Sequence, residues 1–430
     1  MSRGSSLQLS RRTVLAGLAG AAVSGCGGTR SKEVVRFWAF GREGEATAEL
    51  LEEFHARHPD TEVEIQRLPW ISAHEKLLTA YAGETLPDVC QLGNTWVPEF
   101  AALDALEPID EAVRTSGIVE QQDFFEGTFN ANRIDSVLYG IPWYVDTRLL
   151  YYRTDLLKQA GFDHPPADWA EWSAMMGAIK SLVGPDRYSV LLPLNEFEPL
   201  LVLALQQPSE LLRDEGRWGN FRSPDFHRTL SFYADIFERG WAPRMSNTQL
   251  SNVWDEFGNG LFSFYISGPW NIAEFNKRMP AELKDAWMTA PMPGPEGPGL
   301  SSAGGGALVV MKTARNKEGA WKLIEYLSEP QTQQRFYELT GNIPPRRTSW
   351  QLPALERSPY ARAYYTQLDR LRSPPKVPEW ERIVTEMRLA SERVVYGRAT
   401  VDGATVQLDA TTDAILEKRR WMMSRGGGKA

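Results

Sequence analysis

Residues 139–157 place a carboxylate and a guanidinium inside an otherwise apolar and aromatic run. The segment reads YGIPWYVDTRLLYYRTDLL, with Asp146, Thr147 and Arg148 at its centre. Strand alternation puts Asp146 and Arg148 on one face and Thr147 on the other. A carboxylate in a buried run needs a partner. That partner is either Arg148, in a structural ion pair, or the hydroxyl group of a ligand, and we favour the ligand.

The sequence carries no familiar catalytic motif. It contains no His-Glu-x-x-His, no Gly-x-Ser-x-Gly and no phosphate-binding loop. The five histidines are scattered, which predicts that the protein holds no metal. Apart from Cys26 the single cysteine is Cys90, so an internal disulfide or a cysteine-based metal cluster is not expected. We expect Cys90 to be a buried apolar residue and the protein to need no cofactor.

Size and charge exclude some classes of partner. The 430 residues suit two large lobes better than one domain. The net charge of -8 argues against a nucleic acid or an anionic membrane surface as the main partner, because both require a basic face. Aromatic residues are abundant, with 15 Trp, 14 Tyr and 18 Phe, and many lie beside Gly, Pro, Asn or Asp outside plain core patterns.

The first 25 residues read as an export signal. Three arginines precede an apolar run at residues 14–23, which is followed by small residues. The run is too short to span a bilayer. The arginine pair resembles a twin-arginine signal but departs from it at Val14 and Ala16, so general secretion remains an alternative. The ending VSGC resembles a lipobox, which predicts cleavage before Cys26, acylation of that cysteine and a tether at residues 26–32. The alternative is an ordinary cleaved signal with an incidental cysteine.

Strand and helix patterns alternate after the signal. Strands at 33–40, 61–68 and 87–93 enclose helices at 43–58 and 73–82, which predicts a parallel sheet with right-handed crossovers. Ligands bind at the carboxyl ends of such strands, which here follow Phe40 and Leu92. Further predicted elements are strands at 260–266 and 307–312, helices at 168–183, 223–239, 317–327, 331–339, 380–396 and 404–420, and a long loop at 292–306.

Five segments together resemble a known family over residues 33–420. They are residues 37–44 (FWAFGREG), 86–96 (LPDVCQLGNTW), 139–153, 267–270 (SGPW) and 304–328. In order and spacing they are similar to the family-1 extracellular solute-binding proteins of bacterial ABC importers, the group that includes maltose- and trehalose-binding proteins.

The resemblance implies two α/β lobes, joined by three crossovers, that close on a ligand in the cleft between them. The crossovers are expected near Val145, at 302–304 and at 328–330. Lobe one would comprise 33–145 plus 304–328, and lobe two 146–303 plus 329–420. Residues 421–430 would form a loose tail.

The resemblance also implies a carbohydrate site, in which charged planar groups bind hydroxyls and tryptophan faces stack on sugar rings. The implied ligand-binding residues are Arg42, Glu43, Asn94, Thr95, Trp96, Tyr144, Asp146, Gly268, Trp270, Gly305, Gly306, Arg346 at the rim and Trp380 on a late helix. Further candidates are Trp143, Glu198 and Trp254.

Several of these residues have a structural alternative. Trp270 and Trp380 could belong to the core, since most of so many tryptophans must. Arg42 and Glu43 could be a solvated helix start, where a glutamate is favourable. Trp96 is followed by Val97 and Pro98 on a loop, which favours a functional role.

The implied function is that of an exported, lipid-anchored, monomeric receptor without enzymatic activity, facing the periplasm or the cell exterior. It would bind a di- or oligosaccharide by hinge closure and deliver it to the permease subunits of an ABC importer. Two alternatives remain open: the ligand-binding partner of a membrane sensor, and a glycoside hydrolase that uses Glu43 and Asp146.

Overall fold

The computed structural model describes residues 33–426, in which two β-sheets form the centres of two lobes. The predicted export signal, Cys26 and the tether lie outside the described residues, as do residues 427–430. Within residues 33–426, no helix is both long and apolar enough to cross a membrane.

Strands and helices alternate along most of the described chain. The strands are β1 (Glu33–Phe40), β2 (Thr61–Leu68), β3 (Val89–Gly93), β4 (Arg133–Ile134), β5 (Val137–Leu138), β6 (Ile141–Val145), β7 (Leu149–Arg153), β8 (Tyr188–Leu191), β9 (Leu212–Arg213), β10 (Trp218–Gly219), β11 (Phe262–Ser267), β12 (Trp287–Ala290), β13 (Pro293–Gly294), β14 (Gly297–Pro298), β15 (Ser301–Ser302), β16 (Gly305–Val310) and β17 (Leu371–Arg372). The helices are α1 (Gly41–Arg57), α2 (Trp70–Ala82), α3 (Val97–Ala102), α4 (Asp110–Thr115), α5 (Glu126–Asn130), α6 (Thr154–Gln159), α7 (Trp169–Val183), α8 (Glu198–Leu205), α9 (Pro224–Glu238), α10 (Val253–Gly258), α11 (Trp270–Arg278), α12 (Lys317–Ser328), α13 (Pro330–Thr340), α14 (Pro353–Glu356), α15 (Ala361–Leu368), α16 (Trp380–Val395), α17 (Val401–Ile415) and α18 (Glu417–Gly426). Short 3-10 turns lie at Asn94–Trp96, Gln121–Asp123, Asn247–Gln249, Ala281–Leu283 and Thr348–Gln351.

Lobe one is built on a five-stranded sheet in the order β2-β1-β3-β16-β6. Strand β1 pairs in parallel with β2 and β3, which confirms the parallel arrangement predicted for the first three strands. Strand β16 runs antiparallel to β3 and β6. Helix α1 covers the sheet with Leu50, Leu51 and Phe54, which recur at helical spacing and are buried.

Lobe two is built on a four-stranded mixed sheet in the order β12-β7-β11-β8. Strand β7 runs antiparallel to β11 and β12, and β11 runs parallel to β8. Its four strands are rich in buried aliphatic and aromatic residues, so the sheet is covered on both faces. One covering helix, α7, is capped by the preceding residue Asp168, whose side chain accepts a hydrogen bond from the backbone N–H of Glu171.

The chain passes between the lobes in segments that are hydrogen-bonded to one another. Strand β6 belongs to the sheet of lobe one and β7 to that of lobe two, so the chain crosses at residues 146–148. It crosses again between β15 and β16, where the N–H of Asp146 donates to the carbonyl of Gly304 at 3.1 Å. Beside these, the N–H of Val145 donates to the carbonyl of Ile343 at 2.9 Å. Together these segments form a three-stranded hinge.

The predicted third crossover at 328–330 would place helix α13 in lobe two, but α13 lies against lobe one. It packs against α1 and α12 of lobe one, and its Phe336 stacks on Trp143 with ring centroids 4.5 Å apart. Pro330 occupies the first turn of a new helix rather than marking a crossing, since proline is tolerated there. The chain reaches the hinge only afterwards, at Ile343.

Two other segments also differ from the prediction. Residues 292–306, expected to be a loop, contain the short strands β13 to β15 and the start of β16. The predicted helix 404–420 and loose tail are two helices, α17 and α18, with the break at the fully buried Leu416. Residues 421–426 are therefore helical.

Candidate ligand-binding cleft

A cavity of about 700 Å³ lies between the two lobes, at the carboxyl ends of β1 and β3. Both lobes and the hinge contribute to its wall. Its lining residues are Arg42, Glu43, Trp70, Gly93, Asn94, Thr95, Trp96, Tyr144, Asp146, Arg148, Phe197, Glu198, Leu201, Trp254, Trp270, Glu274, Arg278, Ser302, Gly304, Gly305, Thr340, Asn342, Pro374 and Glu381.

The wall on lobe one is aromatic. Trp70 begins α2 and Trp96 ends the turn after β3, so both stand at the edge where the parallel strands end. Their ring centroids are 5.5 Å apart, and Phe40 packs behind them at 5.1 Å and 5.9 Å. Because the rings pack on one another, they form a rigid apolar face of the kind that stacks on a sugar ring.

Glu43 is held beside this face by neutral donors. The indole N–H of Trp70 donates to one carboxylate oxygen at 3.2 Å, and the Nδ2 of Asn342 donates to the other at 2.7 Å. Asn342 follows Gly341, whose φ of +80° ends α13 in the left-handed conformation. A carboxylate fixed in this way still has lone pairs available for ligand hydroxyls.

Arg148 forms ion pairs with two carboxylates, Asp146 at the hinge and Glu198 at the start of α8. Its Nη1 lies 2.7 Å from Asp146 Oδ1 and its Nη2 lies 3.0 Å from Glu198 Oε1. The guanidinium also lies over the ring of Trp270, 4.8 Å from the centroid. Arg148 therefore pairs with Asp146, as the alternative interpretation held, while the Asp146 side chain keeps 30% of its surface exposed.

The electrostatics of this cluster shift the pKa of Asp146 upward. Burial raises the pKa of the Asp146 carboxyl, and the neighbouring Glu198 and Glu43 raise it further, against the lowering effect of Arg148. Burial acts against the charge of Arg148 as well, but attraction to Asp146 and Glu198 outweighs it and raises the pKa of the guanidinium. The cluster thus carries an excess of negative charge around one cation.

The wall on lobe two combines aromatic and charged groups. Trp254 lies in α10 with its indole N–H donating to Asn271, and the Arg278 guanidinium stacks on its ring at 4.6 Å. Glu274 accepts from Arg278 at 2.8 Å and lies 3.6 Å from Arg42 of lobe one. The last contact bridges the cleft.

Glu381 faces lobe one from the start of α16. Burial raises the pKa of this carboxyl, while the nearby Thr95 and His74 oppose the shift. Among the described residues, its Oε1 atom has no hydrogen-bond partner. His74 is itself paired with Glu99 at 2.6 Å and lies against Trp96, with ring centroids 5.0 Å apart.

Two of the predicted glycines shape the cleft without lining it. A Cβ on Gly268 would lie 1.9 Å from the Trp270 ring, and a Cβ on Gly306 would lie 2.5 Å from the Tyr144 ring. Tyr144 is fixed by a hydrogen bond from Gln91 at 3.0 Å. The absence of a side chain at each position therefore allows a neighbouring ring to lie against the backbone.

Nine of the thirteen predicted site residues line the cavity. They are Arg42, Glu43, Asn94, Thr95, Trp96, Tyr144, Asp146, Trp270 and Gly305. The further candidates Glu198 and Trp254 line it as well, whereas Trp143 is buried in the core of lobe one.

Arg346 and Trp380 were predicted as ligand contacts, and the structure places both away from the cavity. Arg346 is 6% exposed, pairs with Asp123 at 2.6 Å and donates to the carbonyls of Ile118 and Ser328. Trp380 is 1% exposed and packs in the core of lobe two. The next residue, Glu381, lines the cavity instead.

Sequence reasoning missed several lining residues. Trp70 follows the second strand of the parallel sheet, so the rule on strand ends could have found it. Glu274, Arg278 and the apolar pair of Phe197 and Leu201 had no local signal, because they depend on how lobe two packs, and Asn342 depends on where α13 ends. Within residues 33–426, no cluster of His, Cys, Asp and Glu side chains could hold a metal ion.

Known proteins match this chain over most of its length. The family described as "Bacterial extracellular solute-binding protein" matches residues 40–334. The structure of the sugar-binding protein MalE from Xanthomonas citri is 53% identical, with a TM-score of 0.88, and the match covers 91% of this chain and 99% of that one. Maltose-bound MalE3 from T. maritima is 26% identical, with a TM-score of 0.76, covering 89% and 99%.

A further relative extends the comparison. The diacetylchitobiose binding protein DasA from Streptomyces coelicolor is 23% identical over 411 residues, covering 90% of this chain and 94% of its own. The two-lobed fold, the cleft and these matches agree. The chain belongs to the bacterial extracellular solute-binding protein family.

Proposed function

We propose that this protein is the carbohydrate-binding component of an ABC importer and that it closes on a di- or oligosaccharide in the cleft. The observation that carries the proposal is the pairing of tryptophan faces on both lobes with fixed carboxylates between them. Trp70 and Trp96 face the cavity from lobe one, and Trp254 and Trp270 face it from lobe two. A sugar ring presents apolar C–H faces and a belt of hydroxyls, which match these two kinds of group.

The relatives support a saccharide as the ligand. The names of the matched proteins include sugar-binding MalE, maltose-bound MalE3 and a diacetylchitobiose binding protein. The cavity volume of about 700 Å³ is in the range of small-molecule sites, which suits a short oligosaccharide.

We propose further that the protein is a binder without catalytic activity. The two carboxylates considered for hydrolysis are both engaged: Glu43 accepts from Trp70 and Asn342, and Asp146 pairs with Arg148. A glycosidase needs one such group free to protonate the leaving oxygen and the other to act as base or nucleophile.

Titration calorimetry against a panel of neutral di- and oligosaccharides tests the binding proposal. We expect saturable heat for at least one saccharide and no product by chromatography after prolonged incubation. Trp270→Ala and Asp146→Ala should weaken that binding at least tenfold with the unfolding transition retained. Unchanged affinity in both variants would refute the site, and turnover of a saccharide would refute the binder.

Importer and sensor roles are separated by uptake. In cells that carry the intact gene, deletion should abolish uptake of the radiolabelled saccharide found by calorimetry. Normal uptake together with loss of a transcriptional response to that saccharide would instead support the sensor alternative.

We propose that Cys26 is acylated and anchors a monomeric protein on the outer side of a membrane. Metabolic labelling with palmitate should mark the wild-type protein and not Cys26→Ala. Equal labelling of both proteins would contradict the anchor, and sedimentation of a cleaved, unacylated form tests the monomer.

A further inference from the structure

The cavity has more carboxylates than cations. In the part of the chain that the structure describes, five carboxylates and three guanidinium groups line it. The carboxylates belong to Glu43, Asp146, Glu198, Glu274 and Glu381, and the guanidinium groups to Arg42, Arg148 and Arg278.

Two of the guanidinium groups are already committed to protein groups. Arg148 binds Asp146 and Glu198 and lies over Trp270. Arg278 binds Glu274 and lies over Trp254. An anionic ligand group would have to displace one of these bonded carboxylates to gain a cation.

Arg42 is the most exposed of the three guanidinium groups. It lies 3.6 Å from Glu274, across the cleft, and its side chain is 54% exposed. Because this guanidinium is largely exposed, screening by solvent weakens its attraction for an anion.

Two carboxylates, by contrast, have no ion-pair partner within residues 33–426. Glu43 of lobe one holds only the neutral donors Trp70 and Asn342. Glu381 of lobe two faces Thr95, and its Oε1 atom is unpartnered. The nearest cationic candidate, His74, is hydrogen-bonded to Glu99 instead.

A further carboxylate, Glu196, lies outside the cavity lining and adds to the negative potential. Glu196 accepts a hydrogen bond from Asn247 at 2.7 Å and lies near Arg148 and Glu198. Burial and the repulsion of Glu198 raise the pKa of Glu196, as burial does for Asp146 and Glu381. The repulsion of Glu198 on Asp146, Glu196 and Glu381 shows that these carboxyl groups lie close enough to act on one another.

We infer that the cleft selects its saccharide by charge: it accepts an ammonium group and rejects a carboxylate, and Glu43 and Glu381 set this preference. The inference rests on the proposed carbohydrate-binding function. Its physical basis is that Glu43 and Glu381 have no cation partner in the protein. A ligand cation is attracted to both carboxylates, whereas a ligand anion is repelled by them in a partly desolvated cavity.

The test uses closed-ring derivatives of the tightest neutral saccharide found by calorimetry. Each primary hydroxyl is replaced in turn by an amine or oxidised to a carboxylate, so that the two probes have similar size and differ in charge. At about pH 7 we expect the amine to bind at least tenfold more tightly than the carboxylate, a difference of about 1.4 kcal/mol.

Matched variants assign the effect to the cavity. Glu381→Gln and Glu43→Gln should each reduce the ratio of the two affinities, since each removes one negative charge from the wall. Glu238→Gln removes the same charge from an exposed position on α9, outside the cavity, and should leave the ratio unchanged.

The outcomes separate this inference from the proposed function. A ratio below tenfold at every position, or no binding of any amine derivative, would overturn the charge selection while neutral saccharides still bind. If no neutral saccharide binds, the proposed function fails and the charge selection fails with it. A ratio that falls equally in Glu238→Gln would remove Glu43 and Glu381 as its cause.

Discussion

Replacing Arg148 with methionine should destabilise the protein in a manner that depends on pH. Methionine keeps much of the side-chain length but removes the guanidinium that lies 2.7 Å from Asp146 and 3.0 Å from Glu198. Removal of one partner from a buried ion pair costs about 3–5 kcal/mol. Both carboxylates keep nearly a third of their side-chain surface exposed, so we expect the lower end, about 3 kcal/mol.

The pH dependence follows from the sign of the pKa shift. The pKa of Asp146 is already raised by burial and by the nearby carboxylates, and loss of Arg148 should raise it further. A carboxyl with a raised native pKa takes up a proton more readily when folded, so its ionisation penalty shrinks as the pH falls through that pKa. The stability difference between wild type and Arg148→Met should therefore be largest near about pH 8 and smaller near about pH 5.

Urea unfolding followed by tryptophan fluorescence measures this difference across the pH range. Arg148→Lys keeps the charge and should lose less stability than Arg148→Met, although it cannot bind both carboxylates as a planar fork. Adding Asp146→Asn and Glu198→Gln to Arg148→Met removes the stranded charges and should recover part of the loss. Equal stability of wild type and Arg148→Met at about pH 8, or a loss that does not shrink on acidification, would refute the reasoning.

Three more outcomes test other parts of the structure. Gly268→Ala should push the ring of Trp270 out of place, because the new Cβ would lie 1.9 Å from it, and calorimetry should show at least tenfold weaker saccharide binding with urea unfolding unchanged. Arg346→Met should lower the unfolding free energy by about 3 kcal/mol and leave saccharide affinity unchanged, since this arginine is buried away from the cavity; a selective loss of affinity would restore its predicted role. The hydrogen bond to Glu99 raises the pKa of His74 in the folded protein. The pair therefore contributes its full stability to the fold when the pH is below the ordinary histidine pKa, and this contribution is lost as the pH rises through the raised pKa of the folded state. His74→Gln should remove this component, about 1 kcal/mol for one hydrogen bond between half-buried groups, which a pH series of unfolding curves would detect against a matched His164→Gln control.

The fold was predictable where local pattern and topology agree. The first three strands and the intervening helices follow from alternation and helical spacing, and parallel pairing follows from their order. The position of α13 was not predictable in this way. Its location depends on Phe336 reaching Trp143, which is almost two hundred residues earlier in the chain.

The site was predictable where residues follow strand ends or the hinge. Glu43, Trp96 and Asp146 occupy such positions and line the cavity. Trp380 shows the limit of the approach. Neighbouring residues of a helix point in different directions, so Trp380 lies in the core while Glu381, the next residue, lines the cavity. Which face of a late helix meets the cleft is decided by tertiary packing, which a single sequence does not display.

The hinge and a cleft carboxylate occupy the same peptide. The N–H of Asp146 bonds the carbonyl of Gly304, and the N–H of the preceding residue bonds the carbonyl of Ile343, so main-chain hydrogen bonds join the three passing segments into one small ribbon. The side chain of Asp146 projects from that ribbon into the cavity. A ligand hydroxyl that binds this carboxylate therefore contacts the hinge directly, with no intervening helix or loop. In such an arrangement, the free energy of binding a ligand at Asp146 contributes directly to bringing the lobes together.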